Sequence, residues 1–500
     1  MLEHTAALLV LAPLLASFVV SGLAWIRTRY CLPVALAGLL GALSASIAVL
    51  YRVVQEGTVS YRMAGWPPPI GIELRIDLLN SLVLVAVSAV GLVNLAANWE
   101  FVKRELPDRK ETFLALYLLF VTGLIGVTAT ADLFNLYVLL EITSLSAYAL
   151  IALGPSSRAP LASLNYVFLG VIGASFFLLG VGYLYIMTGS LNMVDIASIL
   201  PGIQSSQPVL VGFIFCLVGV WIKMAFFPMH TWLPNAYTYA SMSVSGVVAP
   251  LMTKVMVYVM IRIMLTVFGA DYVFRILDLG PIIVWLAILA ILAGAVMALI
   301  QRNLTKMLCY IIVSEIGYMV GGAWLGNQVA MTGTILHVIN DALMTFAVFL
   351  AAGNFAFKLG ELRLENLREV FARMPFSAAG FVIAGMSIVG IPPTCGFFSK
   401  WYLISGALNE GCYMYVAALL VSSLINAVLF VRVIEWAFFG EPQAGHGHHG
   451  HQHHKVGMDE APPAMVACLV LVTVGLVLVG LYSGSIVSGI IQPFVSGSMI

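Results

Sequence analysis

The chain is expected to be an all-α, polytopic membrane protein of about 14 transmembrane helices, and three observations carry that expectation. Of its 500 residues 61% are hydrophobic and only 9% are charged, and the mean hydropathy is +1.02, which leaves too little polar surface to cover a water-soluble protein of this size. Apolar runs of about 20 residues, enough to cross ~30 Å of hydrocarbon, recur from end to end. Lysine and arginine collect in short polar loops, predominantly on alternate ones, as topology in a bilayer requires.

The expected spans follow the apolar runs in order. The first, 5 to 26, is preceded by Glu3 and His4 but by no basic residue, so it lacks the n-region of a cleaved signal peptide and reads as a membrane helix. The second and third, 31 to 51 and 77 to 99, are set off by Arg27 and Arg29 and by a polar stretch carrying Arg52, Arg62 and Arg75. The fourth and fifth, 112 to 131 and 133 to 153, are divided only by a turn near Thr130 to Asp132. The sixth covers 161 to 189 and the seventh 207 to 228, where Pro228 interrupts it. The eighth to eleventh are 243 to 268, 281 to 301, 304 to 325 and 329 to 357. The twelfth, 376 to 409, contains Ile391, Pro392 and Pro393, and the last two are 412 to 434 and 461 to 490. With the N-terminus outside, fifteen basic residues fall on the cytoplasmic side and five (Arg52, Arg62, Arg75, Arg262, Arg275) on the other. That assignment leaves three basic residues within the membrane: Lys223, Lys254 and Lys400.

A lysine at mid-bilayer depth costs about 2.5 to 3.5 kcal/mol, so three of them, with Glu141, Glu315 and Asp341 in other spans, call for a compensating purpose. Movement of protons or cations is the simplest one. Desolvation favours a neutral amine and a nearby carboxylate favours the ammonium, so a change of pairing loads or releases a proton. The prolines of spans seven and twelve each lie close to a lysine, and broken helices in corresponding places of two halves point to an inverted-repeat transporter. Glu141 and Lys223 are 82 residues apart and Glu315 and Lys400 are 85 apart, each acid in the second helix and each lysine in the fourth of a five-helix unit. The bland alternative is a structural ion pair or a lysine reaching an interface. His337 and Asp341, four apart on the eleventh span, share a face and are expected to hydrogen-bond or pass a proton. Asp77 and Asp132 lie near helix ends, within reach of water.

These motifs resemble a known family. Glu141, the segment from Lys223 to Pro234 ending in His-Thr-Trp-Leu-Pro, Leu251 to Lys254 with Val257 and Tyr258, Ser314 to Tyr318, and Gly396 to Lys400 are similar to those of the antiporter-like subunits shared by Mrp-type cation/proton antiporters, membrane-bound hydrogenases and respiratory complex I, with the D-type subunit of the Mrp antiporters and its hydrogenase counterparts most alike. The likeness covers roughly 75 to 435. It implies two inverted five-helix repeats around a hydrophilic axis, with Glu141 and Lys223 as an ion pair, Lys254 and His337 as connecting relay groups, and Lys400 as the terminal group near an exit. One departure stands out: Thr345 occupies a position where many relatives carry lysine. The middle of the relay is then bridged by water and Asp341, or the subunit pumps less efficiently.

The expected organisation is therefore N-terminal helices in 1 to 111, a first repeat in 112 to 268, a second in 281 to 434, a His-rich cytoplasmic loop in 435 to 460 and a C-terminal helix in 461 to 500. The expected relay set is Glu141, Lys223, Lys254, Glu315, His337, Asp341 and Lys400. Six scattered cysteines form no CxxC pair, and no haem-attachment or dinucleotide motif is evident, so no cofactor or metal is expected and any redox centre would sit in partner subunits. The histidines of 445 to 454 read as a solvated linker in preference to a metal site. Zero net charge and the lack of a long basic run exclude nucleic acid as a partner. The expected function is proton translocation in a multisubunit Na+/H+ antiporter of the inner cell membrane, beside other integral membrane subunits; the alternative is a proton-pumping subunit of a redox-driven complex, and a third reading is a scaffold that does not pump.

Overall fold

The computed structural model describes residues 4–368, 370–439 and 457–499. The histidines of 445 to 454 fall outside the described residues. Twenty α-helices and one two-stranded hairpin make up the regular structure. The first eight helices are α1 (Thr5–Ile26), α2 (Cys31–Glu56), α3 (Leu78–Glu105), α4 (Lys110–Ala129), α5 (Leu133–Ala152), α6 (Ala159–Thr188), the short α7 (Met193–Ile199) and α8 (Gln207–Met224). The next six are α9 (Trp232–Tyr239), α10 (Met242–Arg262), α11 (Gly280–Ile300), α12 (Leu304–Trp324), α13 (Gln328–Leu359) and the four-residue α14 (Val370–Arg373). The chain closes with α15 (Pro375–Val389), α16 (Cys395–Asn409), α17 (Tyr413–Phe439), α18 (Pro463–Leu481), α19 (Ser483–Ile486) and α20 (Gln492–Ser498).

Helix starts follow side-chain chemistry. Asp77, Asp132, Asn192, Asn303 and Asn327 each accept a backbone N–H from the first turn of α3, α5, α7, α12 and α13. The turn between the fourth and fifth spans is thus fixed by Asp132. The Asn80 side chain in turn accepts the Asp77 N–H, completing a reciprocal cap.

Thirteen helices among the described residues are long and apolar enough to cross a membrane. α15 and α16 are 15 residues each, too short to span alone. Both run antiparallel along α13: Asn354 bonds Ser377, Phe355 packs on Phe381, Asn340 bonds the Cys395 carbonyl, His337 meets Ser399, and Asn327 reaches the Gly406 carbonyl. Together they follow the length of α13 from Asn354 to Asn327. α8 and α9 in the same way lie along α6, from the Gly180 and Cys216 contact to the stacked rings of Tyr166 and Trp232.

Every residue of α10 is buried, and α12 and α13 are buried along nearly their whole lengths. These three helices are the centre of the bundle. Apolar side chains such as Phe18, Phe168 and Leu424 face outward from α1, α6 and α17, which is the arrangement expected when the bilayer is the solvent.

Three features depart from the sequence reading. Val59–Arg62 (β1) pairs antiparallel with Glu73–Ile76 (β2) inside the polar stretch between the second and third spans, and the Ala131 N–H bonds the Glu73 carbonyl, closing the outer end of α4 and α5. The last span ends at Leu481, short of the expected 490, and continues after a turn as α19 and α20. Arg262, within the eighth span but counted toward the outer face by the charge distribution, is buried at the end of α10, where Asp77 holds it through two hydrogen bonds of 2.6 and 2.9 Å. A fourth basic side chain is therefore internal, and it is paired with a helix cap instead of standing in the mid-membrane axis.

α18 braces the interruption between α15 and α16. A Cβ at Gly480 would collide with the Pro393 carbonyl oxygen, and that atom belongs to backbone that has no rotamer to give. Gly480→Leu is expected to destabilise the protein by about 1 to 3 kcal/mol through overpacking, read as a lower unfolding temperature in detergent.

Candidate functional site

The buried charges form three stations, each built where two or more helices meet. The first lies between α5 and α8. Lys223 Nζ is 3.0 Å from Glu141 Oε1 and donates to Ser144 Oγ at 2.8 Å. Ser144 is one turn beyond Glu141, so the acid and the hydroxyl present themselves together. Lys223 occupies the last turn of α8, just before Ala225 adopts a left-handed conformation (φ 61°) and ends the helix. The carbonyls freed there are reclaimed: the Trp232 indole donates to the Ile222 carbonyl at 3.1 Å and the Phe226 N–H to that of Trp221 at 3.0 Å. An ammonium at a helix C-terminus is favoured by the dipole.

The second station joins α10 to α13. Lys254 Nζ is 3.0 Å from Asp341 Oδ2 and 3.3 Å from both Thr345 Oγ1 and the Ala249 carbonyl. Thr345 donates to Asp341 Oδ1 at 2.9 Å, so the hydroxyl holds the carboxylate while it contacts the lysine. Neither Lys254 nor Asp341 exposes more than 2% of its side chain.

The third station gathers α12, α13, α16 and α17. His337 Nε2 is 2.7 Å from Glu315 Oε2 and His337 Nδ1 is 2.9 Å from Ser399 Oγ. A carboxylate can only accept, so Nε2 carries the hydrogen when Glu315 is ionised and, in the neutral ring, Nδ1 is left to accept from Ser399. Lys400 Nζ lies 3.8 Å from the other oxygen of Glu315 and donates to the Ile388 carbonyl at 2.6 Å and to Ser423 Oγ at 3.2 Å. Its charge also sits 4.9 Å from the Tyr318 ring centre. The Ile388 carbonyl belongs to the end of α15, so Lys400, like Lys223, rests on the negative end of a half-helix.

All seven residues proposed from the sequence are thus placed in contact with at least one other of the set. One pairing differs. His337 and Asp341 share a face of α13 but are not joined to each other: His337 turns to Glu315 on α12 and Asp341 to Lys254 on α10. Spacing on one helix identifies a face, while the neighbour opposite each turn of that face decides the partner. The repeat spacing pairs Glu315 with Lys400; in the structure Glu315 is closer to His337 and serves both. Sequence reasoning does not single out Ser144, Ser399, Ser423 or Tyr318 as ligands, and of these Ser144 and Tyr318 carry a usable signal, each standing three residues after an acid of the relay set, Glu141 and Glu315. Asp132 caps α5 and Asp77 binds Arg262, so neither joins the three stations. Among the described residues no group of three or more histidine, cysteine, aspartate or glutamate side chains is arranged to hold a metal ion.

Comparison with known proteins places the chain in a family. Residues 130–426 match the family described as NADH:quinone oxidoreductase/Mrp antiporter, transmembrane. The chain is 40% identical to NADH-quinone oxidoreductase subunit N of Desulforudis audaxviator, over 98% of both chains. It is 31% identical to the D-type Na(+)/H(+) antiporter subunit of Alkalihalophilus pseudofirmus, over 87% of both. Among solved structures, a chain of the membrane-bound sulfane sulfur reductase, an archaeal respiratory membrane complex, superposes with a TM-score of 0.89 at 29% identity and 99% coverage of each chain. A chain of the Mrp complex from Dietzia sp. DQ12-45-1b gives 0.86 at 26% identity and 100% coverage of each. These neighbours come from multisubunit membrane complexes, and the relatives include subunits of both an antiporter and a quinone oxidoreductase. An antiporter-like, multi-pass membrane subunit is what they have in common, and they do not favour the Mrp assignment over the redox one. With well over half its length matched and a near full-length relative at 40% identity, the chain belongs to the NADH:quinone oxidoreductase/Mrp antiporter transmembrane family.

Proposed function

We propose that this chain translocates protons across the inner cell membrane as one subunit of a larger complex, using Glu141, Lys223, Lys254, Asp341, Glu315, His337 and Lys400 as the relay. The observation that carries the reading is that the three mid-membrane lysines each lie against a carboxylate within 4 Å, at 3.0, 3.0 and 3.8 Å. Buried ion pairs are poor sources of stability, since hydrophobic replacements of similar volume are often as stable or more so. Three of them in one seam therefore call for a function other than holding helices together. Moving a carboxylate away from its lysine favours release of the proton, and bringing it back favours uptake, so alternating the pairs in sequence drives a proton along the axis.

Residues 112 to 268 and 281 to 434 are proposed as the two inverted repeats. The support is that each contains an interrupted span, and in each the lysine sits at the carboxyl end of a half-helix, its own α8 for Lys223 and the preceding α15 for Lys400.

The driving reaction is electron transfer in a partner subunit on this reading, favoured by the 40% identical, nearly full-length NADH-quinone oxidoreductase relative. Exchange of sodium for protons is the second reading, supported by the 31% identical antiporter subunit. Purification of the complex through a tag on this chain, followed by reconstitution into liposomes with a pH-sensitive dye, separates the two. Redox driving requires acidification on addition of an electron donor and acceptor; antiport requires a pH change on imposing a sodium gradient. A complex that does neither would overturn proton translocation altogether.

A further inference from the structure

We propose that Glu105 loads protons into a three-helix inlet that leads to Lys254, giving α3, which lies outside the two five-helix units, a direct part in the relay. The inference rests on the proton-translocation reading above. Glu105 is the last residue of α3 and lines a cavity of about 350 Å³, with Thr238 of α9, Met242 of α10, Thr305 of α12 and Ala356 of α13. The cavity opens on the face carrying Lys103 and Arg104, the side the charge distribution assigns to the cytoplasm. Glu105 Oε2 accepts a hydrogen bond from Ser241, which is buried and caps α10, the helix that bears Lys254.

Beyond the buried Phe101 and Val102, one turn in from Glu105 on α3, polar groups recur. Asn98 and Asn94 precede Glu105 by seven and eleven residues, two and three turns along one face of α3. Asn94 donates to the Ser243 carbonyl of α10 at 2.9 Å, and its side-chain oxygen fills the space a Cβ on Gly246 would need. A Cβ on Gly353 of α13 would lie 3.6 Å from the Asn98 oxygen, so all three helices meet at this level. That Asn98 oxygen and the Ser243 hydroxyl are both buried without a hydrogen-bond partner among the described residues. Leaving two such groups dry is costly, and small polar sites of this kind hold water.

The same faces then reach the second station. Ser243, Gly246, Pro250 and Lys254 follow one another at intervals of three, four and four residues along α10, and the Lys254 ammonium turns back along that face to the Ala249 carbonyl. On α13, Gly353 is eight residues from Thr345, which contacts both Lys254 and Asp341. α3, α10 and α13 thus meet at the level of Asn94, Asn98 and Gly353, and α10 and α13 continue from there to the Lys254 pair. A proton taken from bulk water by the Glu105 carboxylate is passed as O–H···O transfers through water beside Asn98 and Ser243 and, in a last O–H···N transfer, to the neutral Lys254 amine, which leaves Glu105 a carboxylate again with no other reactant required.

The test measures proton translocation by the purified complex in liposomes. Glu105→Gln is expected to lower the rate about ten-fold, Glu105→Asp to restore most of it, and Glu100→Gln, at an exposed position on the same helix, to leave it unchanged. Because uptake becomes limiting, the solvent deuterium isotope effect should rise in Glu105→Gln, which a purely structural defect would not produce. Asn98→Leu, which removes the polar step without touching the cavity mouth, should also slow translocation and carries the test if Glu105→Gln fails to assemble. Wild-type rates in Glu105→Gln and Asn98→Leu, with Lys254→Ala inactive, would overturn the inlet and leave the relay standing. Wild-type rates in Lys254→Ala as well would overturn the relay itself.

Discussion

Lys223→Ala in the reconstituted complex is expected to cut proton translocation by about a hundred-fold or more, the scale on which a positioned proton donor acts. The substitution leaves Glu141 with Lys223 gone and an unfilled volume at the end of α8, so some loss of stability accompanies it. Breaking a fully buried pair costs about 3 to 5 kcal/mol, and the loss here is smaller because Glu141 keeps 22% of its side chain accessible. Stability and transport are separated by a second variant. Lys223→Arg keeps a cation beside Glu141 and Ser144, yet a guanidinium does not give up its proton in proteins. It should assemble like the wild type and translocate as poorly as the alanine variant. If Lys223→Arg transports normally, the pair is a structural salt bridge and the relay reading of the first station is wrong.

Glu315→Gln is expected to have an effect of similar size, about a hundred-fold on translocation, for a different reason. Glu315 is the group that serves two partners, with one oxygen 2.7 Å from His337 and the other 3.8 Å from Lys400. The amide preserves shape and can still bond the imidazole, so assembly should survive. What it removes is the charge that alternates between the imidazole and the ammonium. Lys400 then keeps the Ile388 carbonyl, Ser423 and the Tyr318 ring, all neutral and none a carboxylate that could take up its proton. The check is translocation alongside the amount of intact complex recovered; normal transport with normal assembly would remove Glu315 from the relay.

Much of this arrangement is legible in the sequence because charge is expensive in hydrocarbon. Lys223, Lys254, Lys400, Glu141, Glu315 and Asp341 announce themselves by sitting in apolar runs, and Pro228 and the Pro392 and Pro393 pair announce the interruptions beside two of the lysines. The spans are legible for the same reason. Partners are harder to read. Asp341 and His337 sit one turn apart, but α10 supplies a lysine opposite one and α12 a glutamate opposite the other, and no local pattern records which helix lies across an interface. Arg262 illustrates the reverse difficulty: near the end of an apolar run it counts as a residue of the outer face, and only Asp77, 185 residues earlier, makes it internal. The hydroxyls that complete each station, Ser144, Thr345 and Ser399, cost little to bury once bonded and so leave no compositional trace. Thr345 in particular does more than fill the place of a lysine. By donating to Asp341 while standing beside Lys254, it fixes a three-membered station at the middle of the axis.

The stations are not in direct contact: among the described residues no hydrogen bond links Lys223 to the Lys254 group, or that group to His337. Proton transfer over such gaps needs water. The most direct test of the relay is a density map of the assembled complex, in a lipid bilayer and at a resolution that shows bound water. The relay predicts ordered water running from the Glu141 and Lys223 pair to Lys254 and on to His337 and Lys400, while a continuous apolar packing that seals each pair from the next would contradict it.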